Sequence, residues 1–122
     1  MEKKSIVEKQ SMEETILSIR AAGVRFHAQQ QGERPLTVFV HGFSGDLHTW
    51  DELWQELGAD FPALRYDLRG FGQSQDHSTQ AFSHADDLLA ILDQLDIERC
   101  NLVGVSMGGA IALNAALNWP QR

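Results

Sequence analysis

Apolar residues follow two different patterns along this chain. Short continuous apolar runs, typical of strands buried on both faces of a sheet, alternate with segments in which apolar residues recur every three or four positions, as in amphipathic helices. Residues 1–14 are polar and show no clear period, so we predict a loose tail or a short frayed helix there. The patterned part begins at residue 15, which predicts a single domain over 15–122.

Five segments have the pattern of strands. Residues 16–23 and 24–32 alternate in part and are separated by Gly23, which predicts an antiparallel hairpin. The run LTVFV at 36–40 is β-branched and aromatic, as expected of a strand buried on both faces. The two remaining predicted strands are 63–68 (ALRYDL) and 100–105 (CNLVGV).

A first helix is predicted over 49–57, where Thr49 and Glu52 have the spacing of a capping box. Apolar residues at helical spacing form one stripe on it, which is expected to face the sheet. The residues of this stripe are Trp50, Leu53, Trp54 and Leu57.

Two further helices are predicted. The segment FSHADDLLAILDQLD has Ser83 as a candidate N-cap, and the helix dipole favours Asp86 and Asp87 in its first turn. Residues 107–119 are small and apolar nearly all round, which predicts a buried helix. Alternating strands and helices with short connections imply parallel strands joined by right-handed crossovers. The predicted fold class is α/β, a mostly parallel sheet with an antiparallel N-terminal hairpin and helices on both faces.

Composition narrows the class of protein. The chain has 122 residues and a net charge of −7, which disfavours nucleic acid as a partner. One cysteine, Cys100, excludes an internal disulfide and fits a reducing compartment. No apolar run reaches the length of a membrane span, and the N-terminus lacks the apolar region of a secretory signal. We therefore expect a cytoplasmic protein without a membrane partner, and the sequence leaves its oligomeric state open.

The segment GVSMG at 104–108 stands between a predicted strand and a predicted helix, the context in which G-x-S-x-G forms a nucleophile elbow. Ser106 would need a strained backbone conformation to project its hydroxyl, and side chains two residues before and after it would collide. Gly104 and Gly108 remove those side chains. The helix that starts at Met107 would direct free N–H groups at the reacting centre. The alternative is a glycine-rich turn with a bystander serine.

The loop HGFSGD at 41–46 follows the predicted strand 36–40. Acyl transfer needs two backbone donors for the developing oxyanion, and this position predicts the Phe43 amide as one and the Met107 amide as the other. Gly42 lets the loop turn without a Cβ clash. We assign His41 a structural role, since bases of this arrangement follow the nucleophile in the chain.

Other polar motifs are interpreted structurally. DLRGFGQS at 67–74 is predicted to be a surface turn in which Asp67 and Arg69 form local hydrogen bonds. His84 with its neighbouring carboxylates offers no second ligand cluster, so no metal site is predicted. GVSMGG lacks the glycine that a dinucleotide fingerprint needs at the position of Ser106.

In this order and spacing, VFVHGFSGD, RYDLRGFGQS and LVGVSMGG resemble the α/β-hydrolase fold family, over roughly residues 16–122. The most similar branch comprises cofactor-independent serine esterases, lactonases and carbon–carbon hydrolases. The resemblance implies Ser106 as nucleophile, an oxyanion hole formed by the Phe43 and Met107 amides, a small-molecule carbonyl substrate and no cofactor. Serine at 106 departs from the dehalogenase and epoxide hydrolase branches, which have aspartate there.

The family orders its triad as serine, acid and histidine along the chain. No aspartate, glutamate or histidine follows Ser106, so the chain is expected to be the first half of such a protein and to have little turnover alone. The strand at 100–105 would then be an unpaired apolar edge and the chain alone marginally stable or insoluble. The alternatives are a ligand-binding or interaction module with a relic elbow, and a lyase, acyltransferase or peroxidase-like enzyme of the same fold.

Overall fold

The computed structural model describes residues 6–9, 14–33, 37–76 and 80–122. Within these ranges the chain forms six strands and three α-helices, with a short 3-10 helix, Leu47–Trp50, before the first α-helix. The strands are β1 (Ile6–Lys9), β2 (Glu14–Ala21), β3 (Val24–Gln31), β4 (Thr37–Val40), β5 (Ala63–Tyr66) and β6 (Asn101–Gly104). The helices are α1 (Asp51–Leu57), α2 (His84–Gln94) and α3 (Met107–Asn118).

The strands form one mixed sheet in the order β1-β2-β3-β5-β4-β6. Strand β4 is parallel to both β5 and β6, whereas the pairs β1/β2, β2/β3 and β3/β5 are antiparallel. The predicted α/β class and the N-terminal hairpin are confirmed. The parallel part is smaller than expected, because β3 pairs with β5 in the antiparallel sense and β1 adds another antiparallel pair.

Strand β1 lies in the segment for which the sequence predicted a tail or a frayed helix. Its residues Ile6–Lys9 pair with β2, with Ile6 opposite Ser18 and Lys9 opposite Thr15. The helix interpretation is therefore wrong for these four residues. Hydrogen bonding to the exposed edge of β2 stabilises this strand, which local sequence alone does not predict. Residues 1–5 and 10–13 of the predicted tail lie outside the described residues.

Helices cover both faces of the sheet, as predicted. On one face, α2 and α3 pack on a core that includes Phe26, Leu64 and Tyr66. On the other face, Trp54 of α1 packs with Phe39 and Ala63. Successive residues of a strand point to opposite faces, so β4 and β5 supply side chains to both clusters. Every residue of these two strands is buried, which confirms the prediction for 37–40; Leu36 lies outside the described residues.

Helix α1 begins differently from the prediction. Thr49 lies inside the 3-10 helix, so it cannot act as an N-cap, and no side chain caps α1. The start of the 3-10 helix is capped instead by Asp46, whose Oδ1 accepts a hydrogen bond from the His48 amide at 2.8 Å. In the predicted apolar stripe Trp54 is buried but Leu53 is 40% exposed. The predicted capping box is therefore wrong.

Helix α2 begins as predicted, because the Ser83 hydroxyl accepts a hydrogen bond from the Asp86 amide at 3.3 Å. Helix α3 is less buried than predicted: Ile111 and Ala115 lie in the core, whereas Leu113 is 61% and Leu117 71% exposed. No described element covers this second face. Strand β6 lies at one end of the described sheet and β1 at the other, which confirms the expectation that β6 is an unpaired edge. No helix in the described ranges has the length and apolarity needed to cross a membrane.

Candidate active site

Three chain segments that carry polar side chains leave the sheet at one edge. His41 directly follows β4, Asp67 follows β5, and Ser106 follows β6 after one residue. Because these three strands are parallel, their carboxyl ends meet at the same edge of the sheet, where ligands bind in α/β proteins. The candidate site is built at this edge.

Ser106 occupies the tight turn between β6 and α3. Its backbone has φ 57° and ψ −121°, a conformation that is rare for a residue with a side chain. Such a conformation costs about 1–3 kcal/mol and persists where the surroundings enforce it. The residue is exposed at the surface of the described chain. A strained, exposed serine between a strand and a helix has the geometry of an elbow.

The glycines around Ser106 are required by close backbone contacts. A Cβ at Gly104 would overlap the Gly108 carbonyl group, and a Cβ at Gly108 would overlap the Val40 carbonyl oxygen. A Cβ at Gly42 would lie 3.1 Å from the Ser106 Cβ and 3.6 Å from its Oγ. The loop after β4 and the serine turn are therefore packed directly against each other.

The first turn of α3 leaves one amide unused. The amides of Gly108, Gly109 and Ala110 donate to the Val105 and Ser106 carbonyl oxygens at 2.8–3.3 Å. The Met107 amide has no acceptor among the hydrogen bonds of the described residues, and neither has the Phe43 amide. These two N–H groups are available to an oxyanion.

His41 is fully buried, and both of its ring nitrogens are engaged. Nε2 accepts a hydrogen bond from the Leu68 amide at 3.0 Å. Nδ1 must then carry the proton, which it donates to the Gly42 carbonyl oxygen at 2.7 Å. The ring thus joins the loop after β4 to the loop after β5, and neither nitrogen is free to take a proton from a nucleophile.

The segment 67–74 differs from the predicted surface turn, since Asp67 and Arg69 are only 2% and 8% exposed. Asp67 accepts hydrogen bonds from the Leu47 amide at 2.7 Å and from the Gln73 amide at 2.8 Å. Its carboxylate is therefore a second connection between the two loops. The position of Asp67 directly after a buried strand is the sequence signal for this connecting role. The local sequence does not show that its partner is the Leu47 amide.

Arg69 forms a buried ion pair with Asp87 on α2, with nitrogen–oxygen distances of 2.8 and 2.9 Å. It also contacts Asp76 at 3.2 Å and donates to the Ala22 carbonyl oxygen. The hydrogen bonds to Asp87 raise the pKa of the Arg69 guanidinium. Asp87, which the sequence placed in the first turn for the helix dipole, is thus the buried partner of a cation and only 2% exposed.

A groove of about 800 Å³ lies between β6 and the helices α2 and α3. Leu92 of α2, Leu102 of β6 and Leu113 of α3 are among the residues that line it, and Ser106 is not. The groove thus shares Gly104 but not Ser106 with the candidate site, and it reflects the uncovered face of α3. No group of three or more potential metal ligands occurs in the described part of the chain.

Comparison with known proteins places this geometry in a family. Residues 35–122 match the alpha/beta hydrolase fold, and the chain belongs to that family. It is 35% identical over 109 residues to mouse epoxide hydrolase 4, and 41% identical over 103 residues to the dihydrolipoyllysine-residue acetyltransferase component of the acetoin cleaving system of Pseudomonas putida. These matches cover 84% and 80% of this chain.

A solved structure supports the same family assignment. The chain superposes on Est816, described as an N-acyl homoserine lactone degrading enzyme, with a TM-score of 0.74 and 36% identity over 83% of this chain. The matched part is 30% and 26% of the two relatives and 40% of Est816, so the chain spans about a third of their length. The resemblance inferred from the three motifs is confirmed, and the relatives support a hydrolase-fold enzyme.

Proposed function

We propose that the chain carries the nucleophile and oxyanion hole of a serine hydrolase that acts on ester, lactone or related carbonyl substrates through an acyl-enzyme. The strained backbone of Ser106 at the start of α3 is the observation that carries this proposal. In it, Ser106 Oγ attacks the carbonyl carbon, and the developing oxyanion accepts hydrogen bonds from the Phe43 and Met107 amides.

The proposed general base and its orienting acid come from outside residues 1–122. His41, the first residue of the loop that carries the Phe43 amide, has both nitrogens engaged and acts in this scheme only to hold the two loops. The matched part is 30% and 26% of the two relatives, so more than two thirds of their length lies outside it and provides room for an acid and a base. We propose that residues 1–122 alone have little turnover, because loss of triad members costs several orders of magnitude in rate.

A second candidate is an acyltransferase or lyase of the same fold. The Pseudomonas putida relative is named as an acetyltransferase component, which favours this class. An acyl-enzyme at Ser106 would be common to hydrolysis and acyl transfer, and the two differ in whether water or another nucleophile accepts the acyl group. The aspartate nucleophile of epoxide hydrolases is disfavoured, because position 106 is serine.

Labelling with a fluorophosphonate probe tests the nucleophile. The protein, purified as its native gene encodes it, is treated with the probe, digested and analysed by mass spectrometry. We expect the label on Ser106 and its complete loss in Ser106→Ala. Ser44→Ala is the matched control, since Ser44 is an exposed hydroxyl on the neighbouring loop and its removal should leave labelling intact.

Absence of label, or label on another residue that survives Ser106→Ala, would reject the acyl-enzyme and favour a ligand-binding module with a relic elbow. Where Ser106 is labelled, supplying an acyl ester with and without an added thiol or alcohol separates hydrolysis from acyl transfer. Release of free acid alone supports the hydrolase, and formation of the new thioester or ester supports the transferase.

A further inference from the structure

Four rings form a continuous series that begins at Phe43, in the loop 41–46. The centroids of Phe43 and Phe71 are 5.9 Å apart with an interplanar angle of 77°. Phe71 is 6.4 Å from His84, and His84 is 5.0 Å from Phe82 at an angle of 79°. Edge-to-face contacts of this kind stabilise aromatic pairs. We name Phe43, Phe71, Phe82 and His84 the aromatic wall.

The aromatic wall begins beside the nucleophile. Phe43 directly follows Gly42, and a Cβ on Gly42 would lie 3.6 Å from the Ser106 hydroxyl oxygen. Phe71 is held in place by a further edge-to-face contact with the buried ring of His41, at 5.3 Å. The wall is therefore anchored to the loop that presents the Phe43 amide.

Much of the wall is uncovered. Phe43 is 73% and Phe82 48% exposed, an unusual amount for phenylalanine rings that lie in one series. Exposed apolar rings next to a candidate reacting centre are typical of a binding surface for the apolar part of a ligand.

Among the residues that the structure describes, Arg69 is the cation in contact with the wall. It lies 4.5 Å from the Phe82 ring centroid, and its nitrogens are taken by Asp87, Asp76 and a backbone carbonyl. Burial lowers the pKa of the His84 ring, which favours its neutral form. An anionic substituent would find no unpaired cation among these groups, and a cationic one would meet Arg69 at the Phe82 ring. An uncharged ring would find ring faces and edges.

We infer that the aromatic wall is the subsite for an uncharged aromatic substituent of the substrate. The inference rests on the proposed function for the position of the reacting carbonyl at Ser106. It names the substrate class as aryl-substituted neutral esters or lactones, with Phe71 and Phe43 as the specificity-determining residues.

Ligand binding to the Ser106→Ala variant of the full native gene product tests the aromatic subsite without requiring turnover. Dissociation constants are measured by calorimetry for ethyl phenylacetate and ethyl cyclohexylacetate, which differ in aromaticity but little in size. We expect tighter binding of the phenyl ester. Adding Phe71→Leu should weaken its binding about three- to tenfold, and affect the cyclohexyl ester less, because an aromatic contact is lost.

A second variant and a matched control separate binding from folding. Phe43→Leu changes a largely exposed side chain, so it should weaken binding of the phenyl ester while circular dichroism and thermal unfolding stay unchanged. Phe61→Leu, a partly exposed ring in the loop before β5, should leave both dissociation constants unchanged.

The inference is overturned if the phenyl ester does not bind, if both esters bind equally, or if neither Phe71→Leu nor Phe43→Leu weakens binding. These outcomes differ from failure of the proposed function, which is read from probe labelling of Ser106. Aromatic binding without labelling would leave the wall in place as the site of a non-catalytic module.

Discussion

Asp67 Oδ1 lies 2.7 Å from the backbone nitrogen of Leu47, and this hydrogen bond joins two loops that are twenty residues apart in the chain. The other carboxylate oxygen accepts from the Gln73 amide at 2.8 Å. Asp67 is only 2% exposed, so water cannot easily replace it as an acceptor. The carboxylate thus fixes the loop that carries the Phe43 amide relative to the loop that carries Phe71.

Replacing Asp67 should destabilise the protein and loosen the loop that carries the Phe43 amide. Asp67→Ala leaves the buried Leu47 amide and the partly buried Gln73 amide without their acceptor, which should lower the free energy of unfolding by about 2–4 kcal/mol. Urea denaturation measures this, and under the proposed function the rate of ester hydrolysis should fall in the same variant. Asp86→Ala, which removes an exposed carboxylate from α2, should cost at most about 0.5 kcal/mol. Equal effects of the two substitutions would contradict the role of Asp67.

The elbow glycines should not tolerate a methyl group. Gly108→Ala places a Cβ against the Val40 carbonyl oxygen and should cost about 1–3 kcal/mol or more in the free energy of unfolding. Gly109→Ala is the control, since its Cβ would lie 3.5 Å from the Gly104 carbonyl oxygen, an ordinary contact. Because alanine favours helix, Gly109→Ala should be neutral or stabilising by about 0.5–1 kcal/mol. A tolerated Gly108→Ala would show that the turn is looser than described.

The buried ion pair between Arg69 and Asp87 should be sensitive to loss of one partner. Asp87→Ala leaves the guanidinium with weaker compensation and should destabilise the protein by about 3–5 kcal/mol. Asp93→Ala removes a carboxylate that is 61% exposed and pairs with Arg122, and it should change stability by less than about 1 kcal/mol. Chemical denaturation of both variants checks the difference, and similar values for the two would refute it.

His84 should make stability depend on pH. Burial lowers its pKa in the folded protein, so the unfolded chain binds the proton more readily. The stabilising contribution is therefore present above the unfolded pKa of about 6.5 and is lost as the pH falls through the lower folded value. The unfolding temperature should fall between about pH 7.5 and 5.5, and it should fall less in His84→Gln. An unchanged pH dependence in this variant would assign the effect to other groups.

The outer edge of β6 should promote self-association of a 122-residue polypeptide of this sequence. Val103 and Val105 are 37% and 43% exposed on or beside this strand, which has a described neighbour on one side only. Val103→Lys should reduce light scattering at a given concentration, since charges on edge strands oppose pairing. Leu53→Lys is the control, because Leu53 is 40% exposed but lies on α1. A monodisperse parent polypeptide would contradict this prediction.

The sequence alone determined the main elements and the tight turn at Ser106. The continuous apolar run at 37–40 is buried on both faces, and the periodic apolar residues of α2 are buried on one face. This holds whichever elements pack against them, so the local pattern predicts both elements. Gly104 and Gly108 were recognisable because the tight turn excludes side chains at fixed distances from Ser106. These requirements are local, and so they are visible in a short stretch of sequence.

Tertiary structure alone decided which distant groups meet. Asp67 is hydrogen-bonded to the Leu47 amide, Arg69 forms an ion pair with Asp87, and β1 pairs with the edge of β2. The residues that meet in these contacts are several to twenty positions apart in the chain. The same carboxylate pattern is compatible with a solvated turn or a capped helix, so local sequence assigned Asp67 and Asp87 to those roles. Burial distinguishes these two carboxylates from solvated ones, because a charge removed from water must be paired or hydrogen-bonded. The fold supplies that partner.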